Sequence, residues 1–80
     1  MNILVAGGAG FIGSHLTDIL LSEGNAVICA DKLIMGDKNI SHLKKRGDFK
    51  LYEVELADQA KVDQIFSENA IDIVYHLAAN

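Results

Sequence analysis

Residues 7 to 13 read Gly-Gly-Ala-Gly-Phe-Ile-Gly and follow directly on the apolar run Ile3-Leu4-Val5-Ala6, while a second apolar run from Ala26 ends in Asp31. A short apolar run that stops at glycines reads as a buried strand entering a sharp turn, and the aliphatic spacing beyond Phe11 reads as a helix. The missing side chains let backbone N–H groups come close to a bound anion. The helix start adds unpaired N–H groups and roughly half a unit of positive charge, so a diphosphate can be held there without a lysine. Asp31, at the tip of the second strand, is placed to accept hydrogen bonds from a ribose, which favours NAD over a 2′-phosphorylated cofactor.

The glycines admit two registers, Gly8-x-Gly10-x-x-Gly13 and Gly7-x-x-Gly10-x-x-Gly13. In both, Gly10 is where the cofactor backbone approaches and Gly13 is where the helix must lie close to the sheet. Gly8 reads as small filler. The strand before, the helix after and the acid beyond lift the pattern above an ordinary glycine turn. A methyltransferase-like arrangement also sets glycines after a first strand and an acid after a second, and the third glycine at Gly13 argues against it.

With 80 residues, half of them hydrophobic and 22% charged, the chain reads as a single folded α/β unit spanning 1–80, without a second domain. It has room for the first mononucleotide-binding half of a doubly wound fold and no more. The formal net charge of −4 opposes attraction to a polyanion. The one basic cluster, Lys44-Lys45-Arg46, reads as a solvated turn, and no nucleic-acid partner is expected. Cys29 lies inside an apolar run and reads as a buried, inert thiol suited to a reducing cytoplasm. No leader is expected before the first strand, and no apolar stretch approaches the ~18 residues of a membrane span. His15 reads as a packed or hydrogen-bonded helix histidine and not as a ligand, and no metal site is expected.

The apolar periodicity gives a strand at about 2–6 and a helix from Phe11 to Glu23 whose inner stripe is Ile12, Leu16, Ile19, Leu20 and Glu23, stopped by Gly24. A strand at 26–31 follows, then a loop with one short helical turn near 40–45. A third strand spans Lys50 to Glu55. Asp58 then caps a helix carrying Val62, Ile65 and Phe66 that ends near Asn69. The last strand, Ile71 to Leu77, is apolar enough to be covered on both faces, with Tyr75 in its core. Right-handed crossovers set the order 3-2-1-4 in a Rossmann-like parallel sheet with helices on both faces. Strand 4 then forms an edge through which the chain is expected to self-associate.

Gly7 to Leu16, Asp31-Lys32-Leu33 and His76-Leu77-Ala78-Ala79-Asn80 together resemble the extended short-chain dehydrogenase/reductase family, specifically its NAD-dependent nucleotide-sugar epimerases and dehydratases. The resemblance covers the whole chain and implies the register starting at Gly7. It implies that Phe11 and Ile12 give N–H groups to the pyrophosphate, that Asp31 holds the ribose, and that Glu55-Leu56 borders the adenine. Leu77-Ala78-Ala79 would line the cofactor near its phosphates and nicotinamide ribose. Two positions depart from the family pattern. Glu55 stands where aspartate is usual, and Lys32 stands where asparagine or aspartate is common, which keeps NADP open as the lesser alternative. The family's base is a tyrosine four residues before a lysine, but Tyr52 is followed at that spacing by Leu56 and Tyr75 by Ala79. The chain therefore reads as the amino-terminal fragment of such an enzyme, without catalytic residues of its own, whose parent acts on a nucleotide sugar. The alternative is a non-catalytic nucleotide-binding or interaction module.

Overall fold

A computed structural model describes residues 1–33 and 36–77. Four strands, β1 (Asn2–Ala6), β2 (Ala26–Asp31), β3 (Phe49–Glu53) and β4 (Ile73–His76), form one sheet in the order β3-β2-β1-β4. All three pairings are parallel, with Val5 opposite both Cys29 and Tyr75. Helix α1 (Phe11–Ser22) joins β1 to β2, a 3-10 turn (Ser41–Leu43) lies in the β2–β3 connection, and α2 (Gln59–Glu68) joins β3 to β4. This is the doubly wound, Rossmann-like arrangement expected from the periodicity.

Alternation along the strands divides the core in two. Ile3, Val5, Val27 and Cys29 face the side that carries α1 and the 3-10 turn, where Leu20, Leu21 and Ile40 close over them. Leu4, Ile28 and Ala30 face the other side and meet Val54 and Ile65 beneath α2. Both faces of β1 and β2 are thus covered, as continuous apolar runs require.

Helix α1 sits in a different rotation from the expected one. Its buried residues are Gly13, Ser14, Thr17, Leu20 and Leu21, whereas Ile12 is 72% and Ile19 55% exposed. Leu16 packs part-buried at the margin of the core. The cause is the glycine contact: a Cβ on Gly13 would lie 2.7 Å from Gly8 Cα. Backbone packing at Gly13 fixes the helix azimuth before any aliphatic side chain is consulted. His15 is likewise exposed, its ring edge-on to Phe11 at 4.6 Å between centroids, and is not packed into the core. The helix closes on Gly24 at φ +89, with Gly24 N donating to Leu21 O at 3.1 Å and Asn25 N to Leu20 O at 3.2 Å.

Two strands are shorter than the apolar runs suggest. β3 starts at Phe49 and ends at Glu53, because β2 ends at Asp31 and offers its last acceptor to Val54 N at 3.0 Å. Glu55 and Leu56 consequently fall in the turn before α2. β4 covers Ile73–His76 because β1 has five residues to pair with, the flanking contacts being Asp72 N to Asn2 O and Leu77 N to Ala6 O, both 2.8 Å. Among the described residues β4 is not covered on both faces, and Tyr75 is an exposed strand residue, not a core one. Asp58 caps α2 as expected, its side chain accepting from Lys61 N at 3.3 Å. Tyr52 turns its hydroxyl to polar neighbours, donating to Glu68 at 2.8 Å and accepting from Asn69 at 3.0 Å.

Candidate functional site

The site is built where β1 gives way to α1. Gly7 holds φ +85, a conformation that costs any residue with a Cβ, and its N–H donates to Ala30 O at 2.8 Å, which pins the turn to β2. Gly8 is buried against the same strand, and a Cβ there would lie 2.7 Å from Cys29 Sγ. The two glycines that competed for the first place in the motif are therefore both required, for different reasons. Gly10 is exposed and open: the nearest atom to an added Cβ is Gly7 O at 3.7 Å. That combination leaves backbone accessible at the helix entrance while Gly13 draws the helix down onto the turn.

At that entrance Ser14 N donates to Gly10 O at 2.8 Å, so intrahelical bonding begins there. The N–H groups of the preceding residues, Phe11, Ile12 and Gly13, have no acceptor one turn earlier within the helix. Gly10 supplies no side-chain cap and the first turn carries no acidic residue, so the positive end of the helix is left available to an anion. Such an end offers backbone donors to an anionic group.

Asp31 is brought directly against the glycine turn. Its Oδ2 accepts from Ala9 N at 3.1 Å and its Oδ1 from Leu33 N at 2.8 Å. Each carboxylate oxygen keeps further acceptor capacity, and the side chain is already oriented. Leu33 pays for this arrangement with φ +58, a left-handed conformation uncommon outside glycine and asparagine. Asn39 Nδ2 reaches back to Ala9 O at 3.4 Å and steadies the turn from the loop side. Neither Leu33 nor Asn39 stands out in the sequence; an Asp followed two residues later by a backbone donor is the one local signal that was available, as an Asx turn.

Lys32 Nζ and Glu55 Oε2 form an ion pair at 3.2 Å, bridging the ends of two neighbouring strands. Leu56 packs part-buried against the α2-side core. Leu77 lies at the end of β4, bonded to Ala6, hence beside the carboxyl end of β1. Ala78 and Ala79 lie outside the described residues. Cys29, beneath Gly8, has its thiol pushed up to about 12, by burial first and by the charge of Asp31 second. Among the described residues, no three His, Cys, Asp or Glu side chains gather where they could hold a metal ion, and no helix is long and apolar enough to cross a membrane.

Comparison with known proteins identifies the family and the fold. The family model described as GDP-mannose 4,6 dehydratase matches residues 4–80. UDP-glucose 4-epimerase of Halalkalibacterium halodurans is 42% identical over 80 residues, covering 100% of this chain and 22% of that protein. A crystal structure of Thermotoga maritima UDP-glucose 4-epimerase with UDP-glucose superimposes with a TM-score of 0.86 at 42% identity, over 100% of this chain and 25% of that one. The dTDP-glucose 4,6-dehydratase of Bacillus anthracis in complex with NAD gives 0.91 at 27% identity, over 100% of this chain and 27% of the other. The chain thus spans about a quarter of the length of the proteins it matches.

Proposed function

This chain belongs to the GDP-mannose 4,6 dehydratase family, within the extended short-chain dehydrogenase/reductases, and we propose that it is the NAD-binding segment of a nucleotide-sugar epimerase or dehydratase. Residues 1–80 form the amino-terminal part of the dinucleotide-binding domain. When bound, NAD supplies a hydride acceptor that oxidises a sugar carbon transiently. This chain's own residues bind and orient it. The amides of Phe11 and Ile12 meet the pyrophosphate, Gly10 and Gly13 permit the approach, and Gly7 makes the turn. Asp31 receives the ribose hydroxyls, Glu55 and Leu56 border the adenine, and Leu77, Ala78 and Ala79 line the path toward the nicotinamide.

The observation that carries this reading is the contact between Asp31 and the glycine turn, Oδ2 to Ala9 N at 3.1 Å, with a carboxylate beside a helix N-terminus that has no side-chain cap. The kinship with NAD-bound and UDP-glucose-bound relatives supports it. The parent's substrate is a nucleotide sugar, and the proton-transferring residues lie outside these 80. The free, buried Cys29 suits a reducing cytoplasm. In the isolated 80-residue segment the edge of β4 is a surface for self-association.

Calorimetric titration with NAD tests the reading. Asp31→Ala is expected to weaken binding by about 1–3 kcal/mol, the scale of a charge-assisted hydrogen bond left unmade. Equal isotherms for the two proteins would remove Asp31 from the site, and absence of saturable binding in a chain extended to the length of its relatives would overturn the assignment as a whole.

A further inference from the structure

Lys32 follows the ribose acid directly and Glu55 stands in the turn after the neighbouring strand, so the 3.2 Å ion pair between them crosses the adenosine end of the site. We infer that this pair sets the choice between the two nicotinamide cofactors, with Glu55 holding Lys32 away from the place where a 2′-phosphate would lie. The inference rests on the NAD-binding reading above.

A 2′-phosphate brings about two negative charges to the ribose edge that Asp31 occupies. Asp31 cannot swing aside, because both of its carboxylate oxygens are held by backbone N–H groups, Ala9 at 3.1 Å and Leu33 at 2.8 Å. Admission of that phosphate therefore depends on a cation close by. Lys32 is the residue next to Asp31, and on its own it would supply one, since an ammonium binds phosphate as a point charge. Paired with Glu55, Lys32 has its charge already matched, and Glu55 adds a second carboxylate–phosphate repulsion to that of Asp31. NAD, with a neutral 2′-hydroxyl, brings no charge for the pair to repel or attract.

The two side chains are 51% and 54% exposed, so replacing either leaves the core intact, while the interaction stays responsive to salt. Glutamine at position 55 keeps an acceptor oxygen for the adenine and removes the charge. The ratio of NADP to NAD dissociation constants cancels whatever adenine contact the two cofactors share.

The test is a titration of the chain with NAD and NADP across a double-mutant cycle, Glu55→Gln, Lys32→Met and both together, at low and high salt. Glu55→Gln is expected to narrow the NADP/NAD ratio about fivefold, the scale of one exposed charge interaction. The gain should vanish in the double variant and shrink at high salt. A ratio unchanged within twofold in Glu55→Gln, or an equal gain in the double variant, overturns the inference while normal NAD binding leaves the cofactor assignment standing. Failure of every form to bind NAD, in the 80-residue chain and in one extended to the length of its relatives, would overturn both.

Discussion

Gly8 and Cys29 show how one atom on one strand decides the residue on the next. The thiol fills the space a Cβ at position 8 would need, so the turn can pass directly over β2 and deliver Ala9 N to Asp31. Burial and the nearby carboxylate hold that thiol in its neutral form, at about 12 against an ordinary 9.0. The sign of the linkage follows. Above pH 9 an unfolded chain releases this proton while the folded one keeps it, so stability falls as pH rises, by up to ~1.4 kcal/mol per unit between about 9 and 12. Urea denaturation between pH 8 and 10.5 should show this slope, and Cys29→Ala should lack it. Parallel curves for the two proteins would mean that the thiol ionises as readily folded as unfolded.

For an element, the governing fact is which face of α1 meets the sheet. Asp18, on one flank, is joined to His42 of the 3-10 turn at 3.0 Å, and Ile12 and Ile19 lie on the exposed side of the helix, away from the buried Gly13, Ser14, Thr17, Leu20 and Leu21. Leu20→Ala, at a buried position, should cost about 2–4 kcal/mol in urea denaturation. Ile19→Lys should cost within about 0.5 kcal/mol, because its side chain is already half in water. A larger loss at Ile19 than at Leu20 would restore the aliphatic stripe as the packed face. Sequence periodicity located this helix to within a residue and named its glycine stop, yet it ranked Ile12 and Ile19 as core. Hydropathy counts side chains, and the contact that oriented α1 is between backbones. The same blindness shortened β3 and β4: an apolar run announces a strand, while its length is set by the partner it pairs with.

Across the whole molecule, strand order, crossover sides and the place of the glycine turn were legible because parallel strands and right-handed crossovers leave few alternatives. Asp31's approach to the turn was legible too, as part of a spacing pattern, whereas its two backbone bonds, the Lys32–Glu55 pair and the strained Leu33 depend on loop geometry that no periodicity encodes. The sheet's β4 edge bears on the state of the chain in solution. Val74 is 47% exposed, with Tyr75 and Leu77 beside it, and the outer side of β4 has no neighbouring strand among the described residues. A row of free N–H and C=O groups flanked by apolar side chains pairs with another such edge, and a charge placed on it opposes that pairing. Sedimentation velocity over micromolar concentrations should therefore show association that rises with concentration, and Val74→Lys should shift the distribution toward the monomer without lowering the melting temperature by more than a few degrees. A chain that stays monomeric at the highest concentration reached, or a variant that associates as strongly as the parent, would place the adhesive surface somewhere other than β4.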